Sequence, residues 1–105
     1  MQSGERQLVH EAAQQGDVEK LQQLLGEGAN IDALDNTACT PLLIAAGAGK
    51  LEVVKFLIEQ KASIDKVNQA GGTALHHACE SGHAEVAKCL LDAKADINKQ
   101  TPLGW

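Results

Sequence analysis

The side chains best suited to chemistry stand close together late in the sequence, where three histidines and a cysteine fall between residues 76 and 83. His76, Cys79 and His83 have the spacing of one face of a continuous helix, and imidazole and thiolate are ligands that zinc prefers. Gly82, however, is expected to end the helix before His83. Because spacing alone is a weak criterion, we predict no metal site here.

The other potentially reactive side chains are isolated. Cys39 stands in an irregular segment and is expected to be exposed and open to oxidation, whereas Cys89 falls on a predicted helix and is expected to pack. Ser63 and Ser81 lie in connecting segments without a partnered base. Since nucleophilic catalysis needs a nucleophile, a base and a pocket, we predict no catalytic residues and no enzyme activity.

A glycine-rich segment at residues 47–50 has some of the composition of a phosphate-binding loop. The motif needs a glycine where this chain has Ile44, and a serine or threonine where it has Leu51. The chain also has one Phe, one Trp and no Tyr, whereas deep cofactor pockets are usually lined with aromatic residues. We therefore expect no cofactor.

Charge and composition restrict the class of partner. The net charge is −5 and the nine Lys and Arg residues are spread along the chain, which argues against nucleic-acid binding. No apolar run approaches the length of a membrane span, and the polar start, residues 1–6, does not resemble a signal peptide, so no membrane insertion is expected. Three cysteines are an odd number for a disulfide framework, which indicates an intracellular location, cytoplasmic or nuclear.

A period of 33 residues organises the chain. Residues 7–39, 40–72 and 73–105 can be placed under one another, and six columns are then identical in all three blocks. The columns are Ala12/Ala45/Ala78, Gly16/Gly49/Gly82, Glu19/Glu52/Glu85, Leu24/Leu57/Leu90, Ala29/Ala62/Ala95 and Ile31/Ile64/Ile97. The period predicts a stack of similar units, each of which covers the apolar face of its neighbour.

Each block is interpreted as two short helices and a loop. In the second block Thr40 is the predicted N-cap, Pro41 the first helical residue and Gly49 the left-handed residue that ends the helix. A second helix is predicted over Leu51–Gln60, where apolar residues recur at helical spacing. Residues 61–72 lack periodicity and end in turn-forming residues.

Several segments resemble the ankyrin-repeat consensus, and the resemblance covers residues 7–105. The segments are Thr40-Pro41-Leu42, Thr73-Ala74-Leu75-His76, Gly28-Ala29-Asn30-Ile31-Asp32 and Lys94-Ala95-Asp96-Ile97-Asn98. The resemblance implies an all-α repeat solenoid, a stack of helix-turn-helix units joined by β-hairpin fingers. It also implies that His76 ties neighbouring loops by hydrogen bonds. Cys79, in the column of Ala13 and Ala46, is expected to be small and buried.

The whole chain, residues 1–105, is interpreted as a single domain whose two ends differ. Glu11, Lys20 and Gln23 replace apolar residues of the second block, as expected of an N-terminal capping repeat. The last finger, residues 98–105, is expected to be incomplete, because residue 105 is the last position of the third block. Thr101 stands where the family usually has Asp, which weakens the turn expected there. Either the chain is cut at a repeat boundary, or its last face is covered by something else, such as further repeats or a second copy.

The family resemblance implies binding of another protein through finger tips and the concave face of the first helices. Carried over by position, the predicted binding residues are Gln14, Gln15, Asn36, Thr37, Cys39, Gly47, Ala48, Gln69, Ala70, Gly72, Glu80, Ser81 and Trp105. The alternative is an appended domain of a larger enzyme, channel or scaffold whose chemistry lies outside this chain. A third interpretation, a metal or thiol sensor, would require metal in the purified protein.

Overall fold

The computed structural model describes residues 3–93, with side chains from residue 8 onward. Six helices account for the regular structure of this range, and it contains no strand. They are α1 (Ser3–Gln15), α2 (Val18–Gly26), α3 (Pro41–Ala48), α4 (Leu51–Glu59), α5 (Ala74–Glu80) and α6 (Ala84–Asp92). None of these helices is long and apolar enough to cross a membrane.

Local signals in the sequence set the ends of the helices. The Thr40 hydroxyl accepts a hydrogen bond from the backbone N–H of Leu43, and Pro41 occupies the first turn of α3, as predicted. Gly49 ends α3 in the left-handed conformation, with φ of 73°, which confirms the predicted cap. Helix α4 ends at Glu59, one residue earlier than predicted, and Gln60 is its C-cap.

The helices stack in two parallel rows. The first helices pack in the order α1, α3, α5, and the second helices in the order α2, α4, α6. Alanines occupy the contacts of the first row: Ala13, Ala45 and Ala46 are fully buried. Because an alanine side chain ends at Cβ, alanines at these contacts allow neighbouring helices to approach one another closely.

Leucines of the second helices form the centre of the core. Leu57 is 0% exposed, which confirms the predicted register of α4, and Leu21 and Leu90 are equally buried. Burying a leucine side chain contributes about 1.5–3 kcal/mol to the free energy of folding. In the first block Lys20 and Gln23 are exposed, at positions where the second block buries Val53 and Phe56. The outer side of α2 is thus polar.

Neighbouring blocks are also joined by a hydrogen-bonded pair between their loops. The Asp32 carboxylate accepts hydrogen bonds from the Ser63 backbone N–H at 3.0 Å and from the Ser63 hydroxyl at 2.9 Å. The Asp32 backbone N–H in turn donates to Asn30 Oδ1 at 2.9 Å. The loop that follows α4 is therefore fixed to the loop that follows α2.

The β-hairpin fingers implied by the resemblance are not confirmed in the described residues. Two closed turns stand in their place: the first turn, residues 35–39, and the second turn, residues 68–72. The Asp35 N–H donates to Cys39 O at 3.0 Å, and the Asn68 N–H donates to Gly72 O at 3.1 Å. The turns are closed by these local bonds and by side chains, and no strand ladder forms.

Candidate functional site

Asp35 and Asn68, which occupy the same position one period apart, build the two turns. Asp35 Oδ1 accepts hydrogen bonds from the backbone N–H groups of Thr37 and Cys39 and from the Thr37 hydroxyl, each at 2.9 Å. Asn68 Oδ1 accepts from the N–H groups of Ala70 and Gly72, both at 3.0 Å. Burial of the Asp35 carboxyl acts against its ionisation, but these hydrogen bonds lower its pKa below the ordinary value.

The two turns are bonded to each other. The backbone N–H of Gln69 donates to Thr37 O at 3.0 Å, and the Asn68 side-chain amide donates to Cys39 Sγ at 3.5 Å. The predicted contact residues Asn36, Thr37, Gln69 and Ala70 lie on the outer side of this pair and are exposed. Their side chains thus stand on backbone that both turns hold in place.

The second turn is also fixed to helix α5 through His77. Because Asn68 Oδ1 accepts two backbone N–H groups, the amide nitrogen faces His77, where Nδ2 and Nε2 are 2.9 Å apart. The nitrogen Nδ2 is a donor, so Nε2 must accept and the neutral ring carries its proton on Nδ1. Burial lowers the pKa of His77, with Glu80 opposing and His76 adding to the shift.

The exposed side of the first helices surrounds a shallow cleft below the turns. The cleft, of about 340 Å³, is lined by Gln14 of α1, by Leu43, Ile44, Gly47 and Ala48 of α3, by His77 of α5 and by Cys39. Gln14, Gln15, Glu80 and Ser81 are exposed as predicted, and Gly47 and Ala48 are half-buried. Four predicted contact residues, Gln14, Cys39, Gly47 and Ala48, therefore lie around one depression.

Three predictions about single residues need correction. Cys39 is half-buried, because its Sγ lies between the Thr37 hydroxyl and the Asn68 amide. Gly72, predicted as a contact residue, is buried: a Cβ built there would lie 3.3 Å from ring nitrogens of both His76 and His77. Gly72 therefore allows the turn to approach α5 and offers a partner no side chain.

Cys79 was expected to be buried and is exposed. Its counterparts Ala13 and Ala46 lie on α1 and α3, and each of these helices has the next first helix packed against it. In the described part of the chain no further first helix follows α5. Trp105 and the last finger, residues 98–105, lie outside the described residues.

The sequence interpretation missed His10, which holds the first turn to helix α1. His10 is buried, and its Nε2 lies 3.0 Å from Ala33 O and 2.9 Å from Cys39 O. This residue occupies the column of His76, so the repeat alignment carried the signal. His76 is also buried, but the residues that correspond to Ala33 and Cys39 are 99 and 105, beyond the described residues.

The histidine and cysteine side chains of the third block face different neighbours. His77 contacts Asn68 of the second turn, whereas His83 Nε2 donates to Gly47 O at 3.2 Å. Between residues 8 and 93 no group of three His, Cys, Asp or Glu side chains could hold a metal ion. Cys89 packs against the core, and burial raises the pKa of its thiol, which disfavours the reactive thiolate.

The comparisons with known proteins agree with this architecture. A family model for ankyrin repeats, in three copies, matches residues 9–101. No curated protein matches the chain. The matched range includes both turns and all five helices from α2 to α6, as well as most of α1. The chain belongs to the ankyrin-repeat family.

Proposed function

We propose that this chain is a non-catalytic protein-interaction module. It binds a partner protein through the tips of the two turns and the exposed side of the first helices, the concave strip of an ankyrin solenoid. Ankyrin repeats are in general protein-interaction modules, which is the starting point of the proposal. The three free thiols of Cys39, Cys79 and Cys89 support an intracellular site of action.

One observation carries the proposal: the exposed tips rest on a hydrogen-bonded frame. Asp35 accepts the backbone N–H groups of Thr37 and Cys39, Asn68 accepts those of Ala70 and Gly72, and the Gln69 N–H joins the second turn to the first. A surface that is already ordered loses little conformational entropy when a partner binds. The ordered frame therefore supports a contact role for the side chains that it presents.

The proposed contact residues are the exposed members of the predicted set. On the turns they are Asn36, Thr37, Gln69 and Ala70, and on the first helices they are Gln14, Gln15, Glu80 and Ser81, with Gly47, Ala48 and Cys39 at the cleft. Gly72 is buried, so it allows the second turn to approach α5 but does not contact the partner. Trp105 stays a prediction.

The test is an affinity capture from the source cell with a turn-tip variant. Gln69→Arg combined with Ala70→Arg adds two long cations to the second turn and keeps the Gln69 backbone N–H that bonds Thr37. The matched control is Gln22→Arg with Gln60→Arg, two exposed glutamines, one on α2 and one at the C-cap of α4. Both variants must retain the wild-type circular dichroism spectrum. Partners captured by the wild type and the control but lost by the tip variant support the proposal, and identical lists for all three proteins contradict it.

A further inference from the structure

The cleft on the first helices has the size of one or two side chains. Its volume of about 340 Å³ is at the lower end of the range for small-molecule pockets, about 300–1,000 Å³. The floor is formed by Gly47 and Ala48. A Cβ at Gly47 would meet only the His77 Cβ, at 3.8 Å, so the missing side chain leaves open the space above the helix. The cleft suits a side chain of a partner protein better than a cofactor.

Two polar atoms in the wall of the cleft, Cys39 Sγ and His77 Nε2, are already paired. Cys39 Sγ accepts from the Asn68 amide and lies 3.3 Å from Thr37 Oγ1, whose proton goes to Asp35. His77 Nε2 accepts from Asn68 Nδ2, and burial lowers the pKa of His77, which favours the neutral ring. Ile44 adds an apolar side. An apolar side chain can therefore enter without leaving these two atoms unpaired, and an unpaired buried polar group would weaken binding.

The charges that border the cleft are all negative. Ile44 and His77 line the cleft, and the equivalent residue on α1, one period before Ile44, is Glu11. Gln14 and Gly47 also line the cleft, and the equivalent residue on α5, one period after Gly47, is Glu80. Both glutamates are exposed. No Lys or Arg is found among the proposed contact residues of the first helices and the turn tips, or at Ile44 and His77.

Three lysines lie on the second helices. Lys20, Lys55 and Lys88 are exposed residues of the second helices. The Asp35 carboxylate adds a further negative charge beside the first turn, since its hydrogen bonds lower its pKa. The second helices also carry the exposed acidic residues Glu19, Glu52, Glu59, Glu85 and Asp92, so both signs of charge are mixed there. The first-helix positions around the cleft instead carry Glu11 and Glu80 with no lysine or arginine among them. A partner that approaches the cleft is favoured if it is basic.

We propose that the partner presents a basic segment in which an apolar side chain enters the cleft, flanked by two Lys or Arg side chains that pair with Glu11 and Glu80. This inference rests on the proposed function and adds the chemistry of the partner. Burial of the apolar side chain supplies most of the affinity, whereas the exposed ion pairs set orientation and association rate.

The stack also fixes the spacing of the two basic side chains. Glu11 and Glu80 lie on α1 and α5, with α3 between them. Two interaxial distances of about 8–10 Å place the glutamates roughly 16–20 Å apart. An extended chain covers this distance in about five or six residues. Lysines at that separation on either side of a central leucine match the surface, and adjacent lysines do not.

The test uses short synthetic peptides and the full chain, with fluorescence anisotropy at low and high salt. The probes have a central leucine flanked at the derived spacing by Lys, by Gln or by Glu, and a fourth peptide carries the two lysines side by side. We expect the spaced Lys peptide to bind best and its affinity to fall with salt. Glu11→Gln with Glu80→Gln should weaken it about fivefold, while Glu52→Gln with Glu85→Gln, exposed on the second helices, should leave it unchanged.

A second variant tests the cleft itself. Gly47→Leu fills the floor, and since Gly47 lies within helix α3 at an ordinary contact distance from His77, the variant should fold. It should abolish binding of the spaced Lys peptide while its melting temperature is kept or raised. The proposal is overturned if the Lys, Gln and Glu peptides bind equally well, or if the spaced Lys peptide does not bind. It is also overturned if Gly47→Leu binds the spaced Lys peptide as well as the wild type does. If the affinity capture still depends on Gln69 and Ala70, the interaction function stands and only the basic partner is wrong.

Discussion

At the scale of single residues, His10 holds two carbonyl groups with one nitrogen. Ala33 O and Cys39 O both accept, so Nε2 carries the proton that they share. His10→Ala removes this donor and leaves a cavity beside α1, and we expect it to lower the free energy of unfolding by about 2–3 kcal/mol. Urea denaturation followed by circular dichroism measures the loss. Glu11→Ala, exposed on the same helix, is the control, and an equal loss in both variants would contradict the assigned role.

His77 makes stability depend on pH in a defined direction. Its pKa in the folded chain is below the ordinary 6.5, because burial disfavours the charged ring, and protonation would also set Nε2–H against the Asn68 amide. The unfolded chain therefore binds the proton more readily, so this contribution to stability is present above 6.5 and is lost as the pH falls through the folded pKa.

The measurement is urea denaturation between about pH 8 and about pH 5, the range in which histidine titrates. We expect the free energy of unfolding of the wild type to decrease as the pH is lowered. It should decrease less steeply in His77→Gln, which retains an acceptor for the Asn68 amide. Since His10, His76 and His83 remain in both proteins, the difference between the two slopes belongs to His77. Parallel slopes would show that the Asn68 contact does not affect the protonation of this ring.

At the scale of the helix, two glycines at the C-terminal end of α3, Gly47 and Gly49, should respond oppositely to an added side chain. Gly49 has φ of 73°, and a Cβ there would lie 2.7 Å from atoms of the His83 ring. Gly49→Val therefore strains the backbone and displaces His83 from Gly47 O, a loss of about 2–3 kcal/mol. Gly47→Ala, within α3, should gain about 0.5–1 kcal/mol. Thermal unfolding measures both, and an unchanged melting temperature for Gly49→Val would contradict the cap.

The same scale separates what could be predicted from the sequence and what could not. Thr40, Pro41 and Gly49 act on backbone a few residues away, so their roles follow from local rules. The burial of Leu57 followed from helical periodicity. Cys79, by contrast, is exposed because no further first helix packs against α5 within residues 3–93, and no feature of the sequence near Cys79 indicates this.

The cleft could not be predicted from the sequence, because it is formed by contacts between repeats, which local rules do not describe. Asn68 reaches Cys39 and His77 at once, and these contacts cross 29 and 9 positions of the chain. The same holds for the bond between Asp32 and Ser63, which spans 31 positions. The repeat alignment could have indicated His10, since it shares a column with His76. The alignment shows which residues are equivalent, but the partners of each residue depend on the neighbouring repeat.

At the scale of the molecule, each repeat is stabilised mainly by its neighbours. Helices α3 and α4 have a repeat packed on both sides, whereas the described contacts of α1 and α2 are to the second repeat alone. Loop contacts follow the same order, since Asp32 bonds Ser63 and the first turn bonds the second. In a linear array the free energy of local opening is a sum of repeat and interface terms. The middle repeat should therefore open last.

Amide hydrogen exchange, followed by NMR, tests this order. We expect the amides of α3 and α4 to exchange most slowly and those of α1 and α2 markedly faster, because opening the first repeat breaks one interface and opening the second breaks two. Ser63→Ala removes one bond to Asp32 and should speed exchange in α2 more than in α6. Equal protection in all helices, unaffected by Ser63→Ala, would mean that the three repeats unfold as one cooperative unit and that the turns of the proposed binding surface are as stable as the core.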